Sequence, residues 1–134
     1  DLADASAMTV EFAAKIGAAN GATVDLVHVL VSAIPARAKV HAPAGLRDQM
    51  RAGEDSAARQ ALEALMNQYV PTGSQGSCFL ERGEPAKTVC KLAKSGYEMV
   101  VVSTQGRTGL EHVVLGSVAE RIVRFATVPV LVVR

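Results

Sequence analysis

Hydrophobic positions in this chain keep two rhythms. Short Val- and Leu-rich runs of nearly continuous apolar character alternate with longer segments whose apolar residues recur every three or four positions. The first rhythm fits strands covered on both faces, the second helices with one buried stripe. Residues 1–20 read as a loop running into a helix capped by Asp4 or Ser6. Val10, Ala13, Ala14 and Gly17 lie on one stripe, and Met8, Phe12 and Ile16 widen it. Asn20-Gly21 ends the helix as a left-handed cap would. Residues 22–31, A-T-V-D-L-V-H-V-L-V, make a strand interrupted by Asp25 and His28. Residues 32–45, with Pro35 and Pro43, form a long loop of the kind that often carries function.

A helix is expected over residues 46–69. Its stripe is Leu62, Leu65, Met66 and Tyr69, with Met50 and Ala58 further back. Gly53 weakens it by ~1 kcal/mol against alanine if exposed. Residues 71–76 turn and 77–82 form a strand. Pro85 then opens a helix at a position where its missing N–H would be unpaired anyway. Val89, Leu92 and Ala93 face inward, and Ser95-Gly96 stops it. Residues 98–103 are a strand. Residues 117–126 are the last helix, with Val118, Ile122 and Phe125 on the inner face and Arg121 and Arg124 outside. Ser117 and Glu120 have the spacing of a capping box. The final strand begins at Val128 and ends at Val133; Pro129 suits a strand start or a sheet edge.

Helix and strand therefore alternate four times over. Crossovers of this kind give a parallel sheet with helices on both faces, an α/β fold, and 134 residues make a single domain spanning 1–134 the expectation. Such a domain normally opens on its central strand. A strand of about five residues, the usual length, is accordingly expected upstream of Asp1, and an intact mass of the native protein would reveal it.

Charge acts by exclusion. Fourteen basic residues face 13 acidic ones for a net +1, and no Lys or Arg run exists, so no nucleic-acid partner is expected. Apolar content of 49% with only 4% aromatic means an aliphatic core. Cys78 and Cys90 lack metal-ligand spacing and fit a reduced pair, which suggests a cytoplasmic location. No apolar run approaches the ~20 residues of a membrane span.

The candidate chemistry lies between Met99 and Val118. An apolar strand runs into a loop holding Ser103, Gly106 and Gly109, and Gly116-Ser117 opens a helix. Glycines let backbone N–H groups approach an anion, and a helix start adds unpaired donors and a positive dipole end, so the stretch could cradle phosphate. From local features alone, turn and cap chemistry is the commoner reading of the same residues, since glycine ends loops in any α/β fold. No P-loop and no G-x-G-x-x-G is present. Arg107 could reach a terminal phosphate or stay solvated. His28 reads as a core histidine, and His41 and His112 as solvated. There is no triad, no acid/base carboxylate pair and no metal-ligand set, so no catalytic residue is assigned.

From Val100 to the C-terminus the chain resembles a universal stress protein domain. The nucleotide-binding members carry G-x2-G-x9-G-[S/T] after their fourth strand, and Gly106, Gly116 and Ser117 match at that spacing while Ser103 stands where glycine is usual. The closing A-T-V-P-V-L-V-V, the early D-L-A-D-A-S and the strand L-V-H-V are similar to the family as well. The resemblance implies an open five-stranded parallel sheet of order 3-2-1-4-5, like the adenine-nucleotide alpha-hydrolases, with the first strand expected upstream of Asp1. It implies ATP as ligand, with Mg²⁺ arriving on the nucleotide's own phosphates. Asp1 would contact the adenine or ribose side. The Val29 backbone would lie against adenine, and Ser103 near ribose or the α-phosphate. Gly106, Gly116 and Ser117 would hold phosphates, with Val118 in the same helix turn. A serine at 103 puts close approach in question if the backbone there needs a glycine-only conformation. The implied role is a dimeric stress-response switch, pairing through the strand from Val128 to Val133 and meeting an unknown protein partner. A non-nucleotide interaction module of the same fold and a slow ATPase are the alternatives.

Overall fold

The computed structural model describes residues 4–31, 44–104 and 115–134. In chain order they form α1 (Asp4–Asn20), β1 (Val24–Leu30), α2 (Ala44–Tyr69), a 3₁₀ turn (Thr72–Ser74), β2 (Gln75–Arg82), α3 (Pro85–Ala93), β3 (Val100–Ser103), α4 (Ser117–Phe125) and β4 (Val130–Val133).

The strands run parallel in two pairs. β1 lies beside β2, with Leu26 opposite Cys78 and Leu30 opposite Arg82. β3 lies beside β4, with Val100 opposite Val130 and Ser103 opposite Val133. Among the described residues there are thus four strands in two two-stranded sheets, not one five-stranded sheet. The physical reason is local: each of β1 and β3 has its ladder on one side only, and no ladder joins them. An open cavity is lined by Asp25, Leu26 and Val27 from β1 and by Val100 and Val101 from β3.

Helices cover both faces. α1 packs on α2, and α3 on α4. Val10 and Ala14 of α1, Leu26 of β1, and Leu62 and Met66 of α2 with Val70 form one buried cluster. Ala86 and Cys90 of α3 with Ile122 of α4 form the other, against half-buried Val100, Val102 and Val130.

The helical stripes are narrower than the apolar pattern suggests. α1 buries Val10, Ala14 and Gly17, spaced by four and three, and leaves Met8 and Phe12 exposed. On α2, Ala58, Leu62 and Met66 are buried and Met50 is exposed. α4 buries Ala119 and Ile122, so Val118 and Phe125 do not face the core. Residues three, four or seven apart share a face whatever the roll, and the roll decides which face is turned inward. Here α4 turns the face of Ala119 and Ile122 inward, at 4% and 2% exposure.

Helix ends also differ from expectation. α1 runs from Asp4, so both Asp4 and Ser6 lie within the helix. The N-cap of α4 is Gly116, without a side-chain bond, so Ser117 is the first helical residue and the Ser117–Glu120 pair is one position out of register for a capping box. α3 is capped instead by Glu84, whose carboxylate accepts from Ala86 N–H at 3.1 Å and Lys87 N–H at 3.0 Å, with Pro85 at the helix start. Gly21 does adopt the left-handed turn after α1, at φ 66°. The segment holding Asp1, the loop from 32 to 43 and residues 105–114 lie outside the described residues.

Candidate functional site

The carboxyl ends of β1 and β3 and the start of α4 carry the candidate residues that are described. Ser103 ends β3. Thr104 follows, donating its N–H to Val133 O at 2.9 Å and accepting from Gly116 N–H at 3.2 Å. That second bond seats the start of α4 beside the end of β3. The first bond of the α4 ladder runs from Glu120 N–H to Gly116 O at 2.9 Å. The N–H groups of Ser117, Val118 and Ala119 therefore precede the ladder, as the first donors of any helix do.

Gly116 is needed for space, not for conformation. Its φ is −57° and its ψ 146°, angles open to any residue. A β-carbon there would come within 3.0 Å of Thr104 O. Thr104 is thus part of the arrangement, and sequence patterning passed over it because no motif position falls on it. Ser103 lies in an extended strand, and none of the described non-glycine residues has a positive φ. The backbone at 103 does not demand glycine, so the expected conflict is absent. What serine adds is a β-carbon and a hydroxyl at the end of β3.

Val29 lies in β1 opposite Glu81 and is half-buried. It stands at the carboxyl end of the other strand pair, so the structure groups Ser103, Gly116, Ser117 and Val118 locally but joins Val29 to them through no ladder. Ser117 and Val118 are exposed on the first turn of α4. Asp1, Gly106 and Arg107 lie outside the described residues, as do His41 and His112. His28 is half-buried in β1, opposite Leu80. No cluster of three metal-ligating side chains occurs among the described residues.

Two groups at the other end of the strands have displaced ionisation. Burial pushes the Cys78 thiol up, Glu63 and Asp25 push it further and Arg59 draws it part of the way back, which favours the thiol over the thiolate. Tyr97 is pushed up to about 12 by burial, then by its hydrogen bond to Asp25 and that carboxylate's charge. A phenol ionising later in the folded chain stabilises fully below its ordinary value of about 10 and loses that contribution as pH rises through about 12. A phenolate absorbance titration should therefore show a step near pH 12 that Tyr97→Phe removes, and folded stability should fall between pH 10 and 12 less steeply in that variant. A Tyr97 step at the ordinary value would contradict the burial and the bond.

Comparison with known proteins gives a consistent picture. The family model described as "Universal stress protein family" matches residues 1–134. The universal stress protein YxiE of Bacillus subtilis is 28% identical over 139 residues, covering 100% of this chain and 94% of that protein. The universal stress protein MJ0531 of Methanocaldococcus jannaschii is 47% identical over 77 residues, 57% of this chain and 45% of its own. Among solved structures, protein MJ0577 superposes with a TM-score of 0.80 at 20% identity, over 99% of this chain and 90% of that one. A universal stress protein in complex with cAMP superposes with a TM-score of 0.62 at 21% identity, over 100% and 91%. At such identities the superpositions establish a shared fold.

Proposed function

This chain belongs to the universal stress protein family, and from that premise we propose that it binds an adenine nucleotide, ATP in the first instance, as a regulatory switch in the stress response. The observation that carries the reading is the Gly116–Thr104 hydrogen bond, which holds the donor-rich start of α4 against the end of β3. Phosphate oxygens suit such a helix start. The cAMP complex of a relative supports the adenine nucleotide class. The chain's own residues would act as follows. Ser117 and Val118 would give backbone N–H groups to phosphate, with Gly116 admitting the approach and Ser103 offering its hydroxyl near ribose. The Val29 backbone would flank adenine. Asp1, Gly106 and Arg107 complete the proposed set, and Mg²⁺ would come with the phosphates.

The five-stranded order 3-2-1-4-5 belongs to the same proposal. In it, β1 and β2 are strands two and three, β3 and β4 are strands four and five, and a parallel strand fills the space between β1 and β3. Two separate parallel pairs with a cavity lined from both sides fit that arrangement. The dimer is proposed through β4, which has a ladder only on its β3 side among the described residues. An apolar edge of this kind invites pairing across a two-fold axis. Among the described residues no helix is long and apolar enough to cross a membrane; a cytoplasmic location is part of the proposal. No catalytic residue is assigned.

The test is direct. The native protein is purified, denatured, and its released small molecules identified by mass spectrometry, followed by ATP titration calorimetry on the stripped protein. Recovered ATP and a binding heat are expected. No nucleotide and no heat at millimolar ATP would sink the reading and turn attention to an interaction module working through the dimer surface. ADP accumulating with time would mark slow hydrolysis.

A further inference from the structure

A net charge of +1 conceals an uneven distribution. α3 and its caps carry Lys87, Lys91 and Lys94 against Glu84, and α4 carries Arg121 and Arg124 against Glu120. The layer formed by α1 and α2 holds more acids than bases. Glu84 is already engaged. Its carboxylate caps α3 and accepts from Arg121 Nη1–H at 3.0 Å. Lys87, Lys91, Lys94 and Arg124 are exposed and make no ion pair among the described residues.

These cations border a groove between the two helices. The lysines stand four and three positions apart, so they share one flank of α3. Val89 and Leu92, on the opposite flank, line the cavity that β1 also borders, so the lysine flank is the one turned toward α4. The helices meet below it through Ala86, Cys90 and Ile122. On α4 the flank toward α3 is marked by Arg121, which reaches Glu84. Phe125, four residues on, continues that flank one turn further. It is 58% exposed, and the Arg124 guanidinium stands over its ring, 6.0 Å from the centroid. The groove thus sets one exposed aromatic ring among cations that the fold leaves without acid partners. Aromatic rings and arginines are the residues that protein interfaces favour at their centres.

We propose that the α3–α4 groove is a docking surface for an acidic segment of another protein, one that lays an apolar side chain on Phe125 and brings carboxylates to Lys87, Lys91, Lys94 and Arg124. Charge complementarity selects this occupant. Each of the two nine-residue helices is roughly 13 Å long, the length of about two and a half turns of a bound helix. Glu120 lies one turn before Arg124. A peptide can space its carboxylates around Glu120, whereas the even negative charge of a nucleic-acid backbone or an anionic bilayer is repelled by it. A bilayer also requires a continuous apolar face, and α4 turns Ile122 inward. The inference goes beyond the nucleotide reading and stands without it.

The probe is a short fluorescein-labelled peptide of Glu with Leu at helical spacing, titrated with full-length protein and read by anisotropy at low and high salt. The same peptide with Lys for Glu, a single-stranded DNA oligomer and phosphatidylglycerol vesicles are the competing ligands. The Glu–Leu peptide is expected to bind and its Lys counterpart to fail. Lys91→Glu combined with Lys94→Glu should weaken the peptide about tenfold and flatten its salt dependence. Phe125→Ser should weaken it about tenfold and leave the salt dependence as it was. Glu120→Lys should tighten it, and Arg51→Glu on α2 should change nothing. All these positions are exposed, and circular dichroism checks that each variant is folded. No binding of the Glu–Leu peptide overturns the proposal, as does an affinity that the Lys91 and Lys94 reversals leave unchanged or that Arg51→Glu lowers equally. Preferential binding of the DNA or the vesicles, lost on the same reversals, assigns the groove to that partner and overturns the acidic-protein reading.

Discussion

Replacing Gly116 with valine is expected to weaken ATP binding about a hundredfold while leaving the protein folded. The estimate follows from geometry. A β-carbon at 116 would stand 3.0 Å from Thr104 O, and the branches of valine would meet it more closely still. The α4 start must then move off the end of β3, and the Gly116 N–H bond to Thr104 O weakens with it. Phosphate would lose the equivalent of one strong charge-assisted hydrogen bond to the first-turn amides, worth up to about 3 kcal/mol, and every ~1.4 kcal/mol is tenfold in affinity. Crowding at the site costs the fold about 1–3 kcal/mol. Gly116→Ala makes the graded control, because φ −57° suits alanine and only the contact with Thr104 must yield. Calorimetric titration with a circular dichroism check of folding decides the matter. A folded Gly116→Val protein that binds ATP like the parent would remove the α4 start from the site.

Ile122→Ala is expected to destabilise the protein by about 3 kcal/mol and to lower Tm by about 10 °C. Ile122 is 2% exposed and is the largest fully buried side chain among the described residues. It packs with Ala86 and Cys90, and half-buried Val89, Val100, Val102, Ala126 and Val130 surround that cluster. Truncation leaves a cavity between α3, α4 and the β3–β4 pair that helices already seated on alanines cannot easily collapse into. Phe125, three residues on, is 58% exposed, and Phe125→Ala should change monomer stability little. Thermal melts of the two variants give the comparison. Equal losses would mean that α4 presents the face the apolar pattern suggests, with Phe125 inward.

Nearly every element of this fold is legible from periodicity. The Val-rich runs and the three- and four-residue spacings set down helix and strand in the observed order, and Gly21, Pro85 and Gly96 mark ends that the chain does make. These are local properties: they depend on φ preferences, missing N–H groups and near-neighbour spacing, all of which travel with the residue. The glycine–serine pair at 116–117 was visible for the same reason, and so was the likeness to the family.

What escaped is what depends on two distant segments meeting. The apolar stripe could not say that α4 turns Ala119 and Ile122 inward, since that orientation is settled in the packing of α4 against α3 and the β3–β4 pair. Gly116 read as a place where backbone amides approach an anion, and only the structure shows that the Thr104 carbonyl, arriving from another element, crowds it. Thr104 itself, Glu84 as the cap of α3, and the Asp25–Tyr97 bond have no motif to announce them. Pairing is decided at the same level, although the two observed pairs are those the family resemblance implied. Parallel strands have no hairpin to bind them in order, so only packing can choose that β1 lies with β2 and β3 with β4. The chain by itself determines which segments are helix and which are strand. The tertiary structure decides which faces turn inward and how the ends of β1, β3 and α4 are placed, because those are energies of contact between segments that sequence spacing leaves free.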